Sequence, residues 1–132
     1  MAGIEVYNRA EADWLDLGRI AAVAEAALGE VLMLEPATRE APLAGLEEVE
    51  VSLVDDAVIA EVHQRFMQIP GPTDVITFEH GEIVLSVETA AASAEEHRVS
   101  RNREVALYIV HGLLHLHGFD DLGEEARRAM HR

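Results

Sequence analysis

The sequence predicts an α+β domain in which helices pack on a small mixed β-sheet of about four strands. Three observations support this fold class. Two strand-like runs in the first half of the chain are each followed by a helix-like run, two further strand-like runs follow each other directly, and the last third is helical in pattern. This order of elements is that of helices layered on a mixed sheet. With 132 residues, we expect one domain covering positions 1–132.

The first strand and helix are predicted from their apolar patterns. Residues 3–7 form a short strand-like run, and residues 16–32 carry apolar side chains at helical spacing, with Asp16 placed to cap the helix. The positions expected to face the core are Ile20, Val23, Ala24, Ala27 and Val31. Two prolines and a glycine make residues 33–46 a loop.

The middle of the chain predicts a strand, a helix and a hairpin. Residues 48–54 alternate polar and apolar side chains, as a half-buried strand does, and a helix then runs over residues 55–67. Residues 73–79 and 82–87 are strand-like runs joined at His80-Gly81, which indicates a β-hairpin.

Three helices are predicted in the last third. Residues 88–97 favour a helix, and residues 101–117 form the strongest one, because apolar side chains nearly encircle it. A helix that is apolar on almost all sides is a buried helix. Gly118 is expected to end it, and residues 123–131 are expected to form a last short helix.

Composition limits the classes of function. The absence of cysteine excludes disulfide partners and thiolate ligands, so any metal must be held by His, Asp or Glu. We see neither a signal peptide nor an apolar run long enough to span a membrane, and we expect a soluble cytoplasmic protein without a membrane partner.

The charge balance argues against long-range attraction to nucleic acid. The formal net charge is −15, and all ten basic residues are arginine. Binding of nucleic acid would need a local basic patch or a bound metal. Arg98, Arg101 and Arg103 form one arginine cluster, and Arg127 and Arg128 form another; each is also explained as a solvated helix face.

The segment HGLLHLHGFDD, residues 111–121, holds three histidines and two aspartates, all of them possible metal ligands. His111 and His115 are four residues apart and therefore share one face of the predicted core helix, where two imidazoles can bind one cation. If Gly118 turns the chain back, Asp121 can reach the same ion. The spacing predicts a metal site with His111, His115 and Asp121 as ligands.

The same spacing occurs in metzincin proteases, with one difference. Those enzymes carry a glutamate base directly after the first histidine, and Gly112 stands there in this chain. His117 points away from the histidine pair on a regular helix, and we expect it to be a partly exposed helix-end residue. Asp120 is a candidate catalytic residue that orients a ligand or takes a proton, and it is also a possible cap for the last helix.

At these residues the chain resembles the YbeY family of bacterial rRNA-maturation endoribonucleases, whose signature is H-G-x-L-H-L-x-G-[FY]-D-H. The matching positions are His111-Gly112-x-Leu114-His115-Leu116-x-Gly118-Phe119-Asp120. The block Pro72-Thr73-Asp74-Val75-Ile76-Thr77-Phe78 is similar to the family's P-T-D-V-[LI]-[ST]-F, and Gly81-Glu82-Ile83-Val84-Leu85-Ser86 is similar to its G-D-I-x-[IL]-S strand. The blocks occur in the family's order, and the resemblance covers roughly residues 48–130.

The resemblance implies a metal-dependent endoribonuclease. It implies one divalent metal, of which Zn2+ is the expected ion, and hydrolysis of single-stranded RNA in 3′-end maturation of the small-subunit (16S) rRNA and in ribosome quality control. The implied partners are rRNA and the small ribosomal subunit.

Two positions depart from the family pattern. Asp121 replaces the third histidine, which gives a two-histidine, one-carboxylate set that also suits non-haem Fe(II). Met67 stands where the family has an arginine, and Arg65 is the nearby candidate for its catalytic role, with a plain surface arginine as the alternative. Thr73 and Asp74 are candidates for binding substrate, or else for turn chemistry.

Two other functions stay open on the residues alone. One is a metal hydrolase of a different substrate, against which Gly112 argues where peptides are concerned. The other is a non-catalytic ribosome-associated factor with a structural metal, which the changes at 121 and 67 favour.

Overall fold

The structure, a computed structural model, describes residues 3–119. Its sheet has four strands: β1 (Gly3–Asn8), β2 (Glu48–Val54), β3 (Val75–Phe78) and β4 (Glu82–Ser86). They lie in the order β1-β2-β4-β3, with β1, β2 and β4 parallel and β3 antiparallel to β4. The predicted mixed sheet and the predicted hairpin are both confirmed.

Four α-helices pack on this sheet: α1 (Leu17–Leu32), α2 (Asp56–Met67), α3 (Val87–His97) and α4 (Arg101–Leu116). A short 3₁₀ turn, Leu43–Gly45, lies in the predicted loop. The predicted last helix, residues 123–131, lies outside the described residues.

Each α-helix begins at a side chain that caps it. The caps are Asp16, Asp55, Ser86 and Ser100, and each accepts a hydrogen bond from the backbone N–H three residues later. These bonds satisfy N–H groups that have no partner within the helix, so the helix starts follow from local sequence.

Apolar side chains form a core on both faces of the sheet. The larger cluster joins α1 and α4 to residues such as Val51 and Ile83, and the smaller one joins Ile59 of α2 to Val84 and Ile76. Successive residues of β4 belong to different clusters because strand side chains alternate between faces.

Two predictions of burial were wrong in detail. Strand β2 is not half-buried: Ser52, Leu53 and Val54 are all buried, because helices cover both faces of this central strand. In α1, Val23 is 38% exposed and Leu28 is buried in its place.

Helix α4 is the most deeply packed helix of those described, as predicted. Its buried residues are Glu104, Val105, Tyr108, Ile109, Gly112, Leu113 and Leu116. Glu104 is a carboxylate in this interior, where it accepts a hydrogen bond from the Ser93 hydroxyl of α3. No helix within residues 3–119 is long and apolar enough to cross a membrane.

Candidate metal centre and cleft

The two predicted histidine ligands lie on the last two turns of α4. His111 and His115 are one helical turn apart and both are half-buried. His115 lines a cleft of about 370 Å³ together with Leu116 and Gly118. His115 is therefore placed beside a space large enough for part of a substrate.

Helix α4 ends at the turn formed by Gly118, as predicted. Gly118 has φ +95°, its N–H donates to the His115 carbonyl at 3.0 Å, and the Phe119 N–H donates to the Leu114 carbonyl at 3.0 Å. This pair of bonds is the Schellman arrangement, which turns the chain away from the helix axis. The turn comes directly before the residues expected to supply the last ligand.

The loop after α1 is fastened to this helix end. The His117 Nε2 donates to the Leu34 carbonyl at 2.7 Å, and the Ala37 N–H donates to the His117 carbonyl at 3.1 Å. A side chain at Gly118 would place its Cβ 3.0 Å from the Thr38 backbone nitrogen. The loop and the helix end are thus held in close contact.

The prediction for His117 was wrong. Its side chain is 1% exposed instead of lying at a partly open helix end. The physical reason is the loop, which covers the ring and accepts its proton at Leu34. The other ring nitrogen, Nδ1, has no hydrogen-bond partner within the described part of the chain.

The two walls of the cleft come from elements far apart in sequence. One wall is formed by the fastened loop, through Thr38, Glu40, Ala41 and Pro42, and the other by Thr77 and Glu79 at the end of β3. The described lining contains two carboxylates and no arginine. Sequence reasoning missed these residues, although alternation along the strand predicted at 73–79 places positions 77 and 79 on one face.

Gly112 lets α4 approach the sheet. A Cβ at this position would lie 3.0 Å from both Cδ1 and Cγ2 of Ile83 on β4. The glutamate that metzincins carry here would have no room. The close packing of α4 on Ile83 therefore explains why position 112 cannot carry that base.

The candidate Arg65 is an exposed residue of the last turn of α2. Its guanidinium carbon lies 5.9 Å from the centroid of the Phe66 ring, and it is not among the residues that line the cleft. Met67, at the family's arginine position, is 44% exposed. A catalytic role for Arg65 stays a prediction.

Thr73 and Asp74 stand in a turn that leads into β3. One oxygen of Asp74 accepts from the Val75 N–H at 2.8 Å and from the Thr73 hydroxyl at 3.4 Å, and the Asp74 carbonyl accepts from the Ser86 N–H at 3.0 Å. These bonds are the turn chemistry expected as the alternative. Neither residue lines the cleft, and substrate binding by them stays a prediction.

The predicted ligand Asp121 and the candidate Asp120 lie outside the described residues. Within residues 3–119, no three His, Asp or Glu side chains lie close enough together to hold a metal ion. Of the three predicted ligands, His111 and His115 lie in the described part of the chain.

Comparison with known proteins decides the family. A family model described as "Endoribonuclease YbeY" matches residues 5–132 of this chain. The chain belongs to the YbeY family. The match spans the histidine segment, the loop after α1 and the strand β3, which together line the cleft.

Individual YbeY relatives agree over most of the chain. The protein named Endoribonuclease YbeY of Rhodopirellula baltica is 43% identical over 94 residues, which are 64% of this chain and 48% of that protein. The one of Pelotomaculum thermopropionicum is 39% identical over 103 residues, 65% of this chain and 68% of that protein. The chain spans about half to two thirds of the length of these relatives.

The fold is also found in a solved structure. The solution structure of TM1509 from Thermotoga maritima has a TM-score of 0.53 to this chain at 22% identity, covering 98% of this chain and 81% of that one. At that identity the likeness shows a shared fold.

Proposed function

We propose that this YbeY-family chain is a metal-dependent endoribonuclease that cleaves single-stranded RNA. The observation that carries the proposal is the position of His115. It belongs to the family's histidine segment, shares a helix face with His111, and lines the cleft between the loop and β3. Relatives at about 40% identity are named endoribonucleases.

The residues present fit one divalent metal, with Zn2+ as the expected ion. His111 and His115 supply two imidazoles from one helix face, and Asp121 follows the Gly118 turn as the expected third ligand. Three protein ligands leave further positions open. The ion, when bound, lowers the pKa of coordinated water and stabilises negative charge on a phosphoryl oxygen.

The remaining residues of the cleft bind and orient RNA in this proposal. The hydroxyls of Thr38 and Thr77 stand on opposite walls and can donate hydrogen bonds to phosphate oxygens. Asp120 is the carboxylate proposed to take a proton during hydrolysis. The Gly118 turn keeps the helix end and the loop wall of the cleft together.

The biological setting follows the family. We propose that the substrate is rRNA, that cleavage matures the 3′ end of 16S rRNA and serves ribosome quality control, and that the small ribosomal subunit is the partner. This activity is proposed for the cytoplasm.

A cleavage assay on a labelled single-stranded RNA tests the proposal. Wild-type protein should cut the RNA, a chelator should stop cleavage, and added Zn2+ should restore it. His115→Ala should lower the cleavage rate by at least about 100-fold, because a metal ligand is lost. His80→Ala is the matched control, since this histidine is exposed and pairs with Glu82. Equal cleavage by wild type and His115→Ala would refute the metal mechanism.

A non-catalytic ribosome-associated factor is the second candidate. The observation that favours it is the cleft lining, which carries Glu40 and Glu79 and, within the described residues, no arginine to bind phosphate. Normal growth of a deletion strain complemented by His115→Ala would support this factor over the enzyme. A metal hydrolase that cuts peptides is less favoured, because Ile83 fills the space a base at Gly112 would need.

A further inference from the structure

Arginines gather around the start of α4, at the end of the helix opposite to the histidine pair. They are Arg19 on α1, Arg98 at the end of α3, and Arg101 and Arg103 in the first turn of α4. All four are exposed. They are four of the ten basic residues of a chain whose net charge is −15.

These four guanidinium groups have no carboxylate partner within residues 3–119. The arginine ion pair found there joins Arg9 to Glu50 at 3.2 Å, and the His80 Nε2 lies 3.1 Å from a Glu82 carboxylate oxygen. In so acidic a chain, these four arginines, without a described carboxylate oxygen within 4 Å, form a cluster of guanidinium groups that lack a charged partner. An anionic partner would complement it.

Two of these arginines face one groove. Arg19 from α1 and Arg103 from α4 line a space of about 430 Å³ between the two helices. The apolar part of the lining is Ile20, Val23 and Ala106, and the polar part includes Ser100 and Asn102. The groove therefore offers cations from both helices, with hydroxyl and amide groups at one end.

Hydrogen bonds hold the two sides of the groove in place. The Asn102 side chain accepts from the Asp16 N–H at 2.8 Å and donates to the Trp14 carbonyl at 3.1 Å. The Ser100 hydroxyl accepts from the Arg103 N–H at 3.1 Å. The segment before α1 and the start of α4 thus form one unit, which lowers the entropy lost on binding.

A neighbouring arginine, Arg101, is held in place by an aromatic ring. The guanidinium carbon of Arg101 lies 5.5 Å from the centroid of the Trp14 ring, within cation–π range. This places a further positive charge beside the segment that Asn102 anchors.

We propose that this groove binds the phosphodiester backbone of single-stranded RNA, as a second contact away from the cleft. The identity of the anion as RNA rests on the proposed function. Arginine side chains bind phosphate oxygens through paired N–H donors, and the groove supplies two of them. Binding of an acidic protein surface, including a second copy of this chain, would instead appear as a change in oligomeric mass in the experiment below.

The geometry sets a length requirement for the RNA. Arg101 and His115 are 14 residues apart on one helix, which corresponds to roughly 20 Å along its axis. A short RNA seated in the cleft would not reach the groove. An RNA long enough to span this distance can contact both, so the groove should contribute to affinity only for the longer RNA.

Fluorescence anisotropy with two single-stranded RNAs, of about 4 and about 16 nucleotides, tests this inference. Arg19→Gln/Arg103→Gln should weaken binding of the longer RNA on the order of tenfold at low salt. The slope of log K against log salt should shrink by roughly 1.4. Binding of the shorter RNA should stay within about twofold. Arg19→Lys/Arg103→Lys should restore most of the salt dependence, since the charges remain.

The single variant Arg9→Gln is the charge-matched control for the single variant Arg103→Gln. Each removes one positive charge, but Arg9 is already paired with Glu50. A larger loss for Arg103→Gln supports the groove, whereas equal losses would mean that only net charge matters and would overturn it. Unchanged binding of the longer RNA, or a change in oligomeric mass instead of RNA affinity, would also overturn it.

Different results would refute the groove proposal and the proposed endoribonuclease function. If wild type cleaves RNA but the groove variants bind the longer RNA normally, the groove is refuted and the enzyme stands. If the variants lose affinity for the longer RNA but wild type cleaves no RNA, the groove stands and the endoribonuclease proposal fails.

Discussion

Gly112 stands where α4 meets β4, and its lack of a side chain sets how closely the histidine-bearing helix approaches the sheet. His111 precedes it directly, so the contact with Ile83 that leaves no room for a metzincin base also sets how far the predicted ligand His111 lies from the sheet.

Gly112→Ala should lower the free energy of unfolding by roughly 1–3 kcal/mol, because the added methyl group would press on Ile83 in a filled core. Urea unfolding measures the change. Gly29→Ala in α1 is the matched control: nothing lies within 4 Å of its Cβ position, so it should stabilise the protein by about 0.5–1 kcal/mol.

Adding Ile83→Val to Gly112→Ala removes one of the two methyl groups in close contact. The double variant should recover part of the lost stability relative to the two single changes. Additive losses would show that the contact does not limit the approach of α4.

Measuring the metal content distinguishes the proposed roles of the two aspartates, Asp120 and Asp121, at the end of the histidine segment. We expect about one zinc per chain in untagged wild-type protein, a loss of most of it in Asp121→Ala, and retention in Asp120→Ala, because only the former is a proposed ligand. Elemental mass spectrometry provides the measurement. Equal loading of wild type and Asp121→Ala would remove Asp121 from the ligand set.

At the scale of elements, the end of α4 and the loop after α1 act together. Three contacts join them: the His117 ring to Leu34, the His117 carbonyl to Ala37, and the close approach of Gly118 to Thr38. The loop supplies one wall of the cleft, so the shape of the cleft depends on how α4 ends.

Gly118→Ala tests this dependence. The variant should lose roughly 1–3 kcal/mol of unfolding free energy and part of its zinc, because a Cβ is strained at φ +95° and also meets Thr38. Gly71→Ala is the control, since its φ is +88° but nothing lies within 4 Å of its Cβ position. Equal zinc loss in both variants would mean that strain alone, and not the loop contact, is responsible.

Local chemistry made much of the fold predictable. The caps at Asp16 and Asp55, the hairpin before β4 and the glycine stop at 118 depend on residues within a few positions of one another. Such signals can be read directly from the sequence.

The failed predictions concern contacts between distant segments. His117 is buried because Leu34, 83 residues earlier, covers it, and β2 is buried because helices from elsewhere in the chain lie on both sides. Periodicity gives the face of a helix or strand but not what covers that face. The threonines and glutamates of the cleft were missed for the same reason, since its two walls come from separate parts of the chain.

At the scale of the whole molecule, negative charge works against an RNA substrate. The net charge is −15, and Glu40 and Glu79 stand on the walls of the cleft. Under the proposed function, RNA recognition would depend on where positive charge is concentrated, namely on the proposed metal and on the groove lined by Arg19 and Arg103.

Removing the wall charges should therefore improve RNA binding. Glu40→Gln/Glu79→Gln should raise affinity for single-stranded RNA roughly two- to fourfold at low salt, with little effect at high salt, because exposed charges are screened. Titration by fluorescence anisotropy at two salt concentrations measures it. Glu25→Gln/Glu30→Gln on the exposed face of α1 removes the same charge far from the cleft lining, and an equal gain there would show that the walls have no special role.

The strand order described above also determines when the sheet can form during synthesis. β1 pairs with β2 from Gly3 opposite Glu48, and β2 pairs on its other side with β4 up to Ser86. A ribosome must therefore complete more than half of the chain before the central strand has both neighbours. Such long-range parallel pairing slows folding. The strand β1 is the first of the four to be made, and α1, which packs against it in the folded protein, is completed before β2, the partner strand of β1.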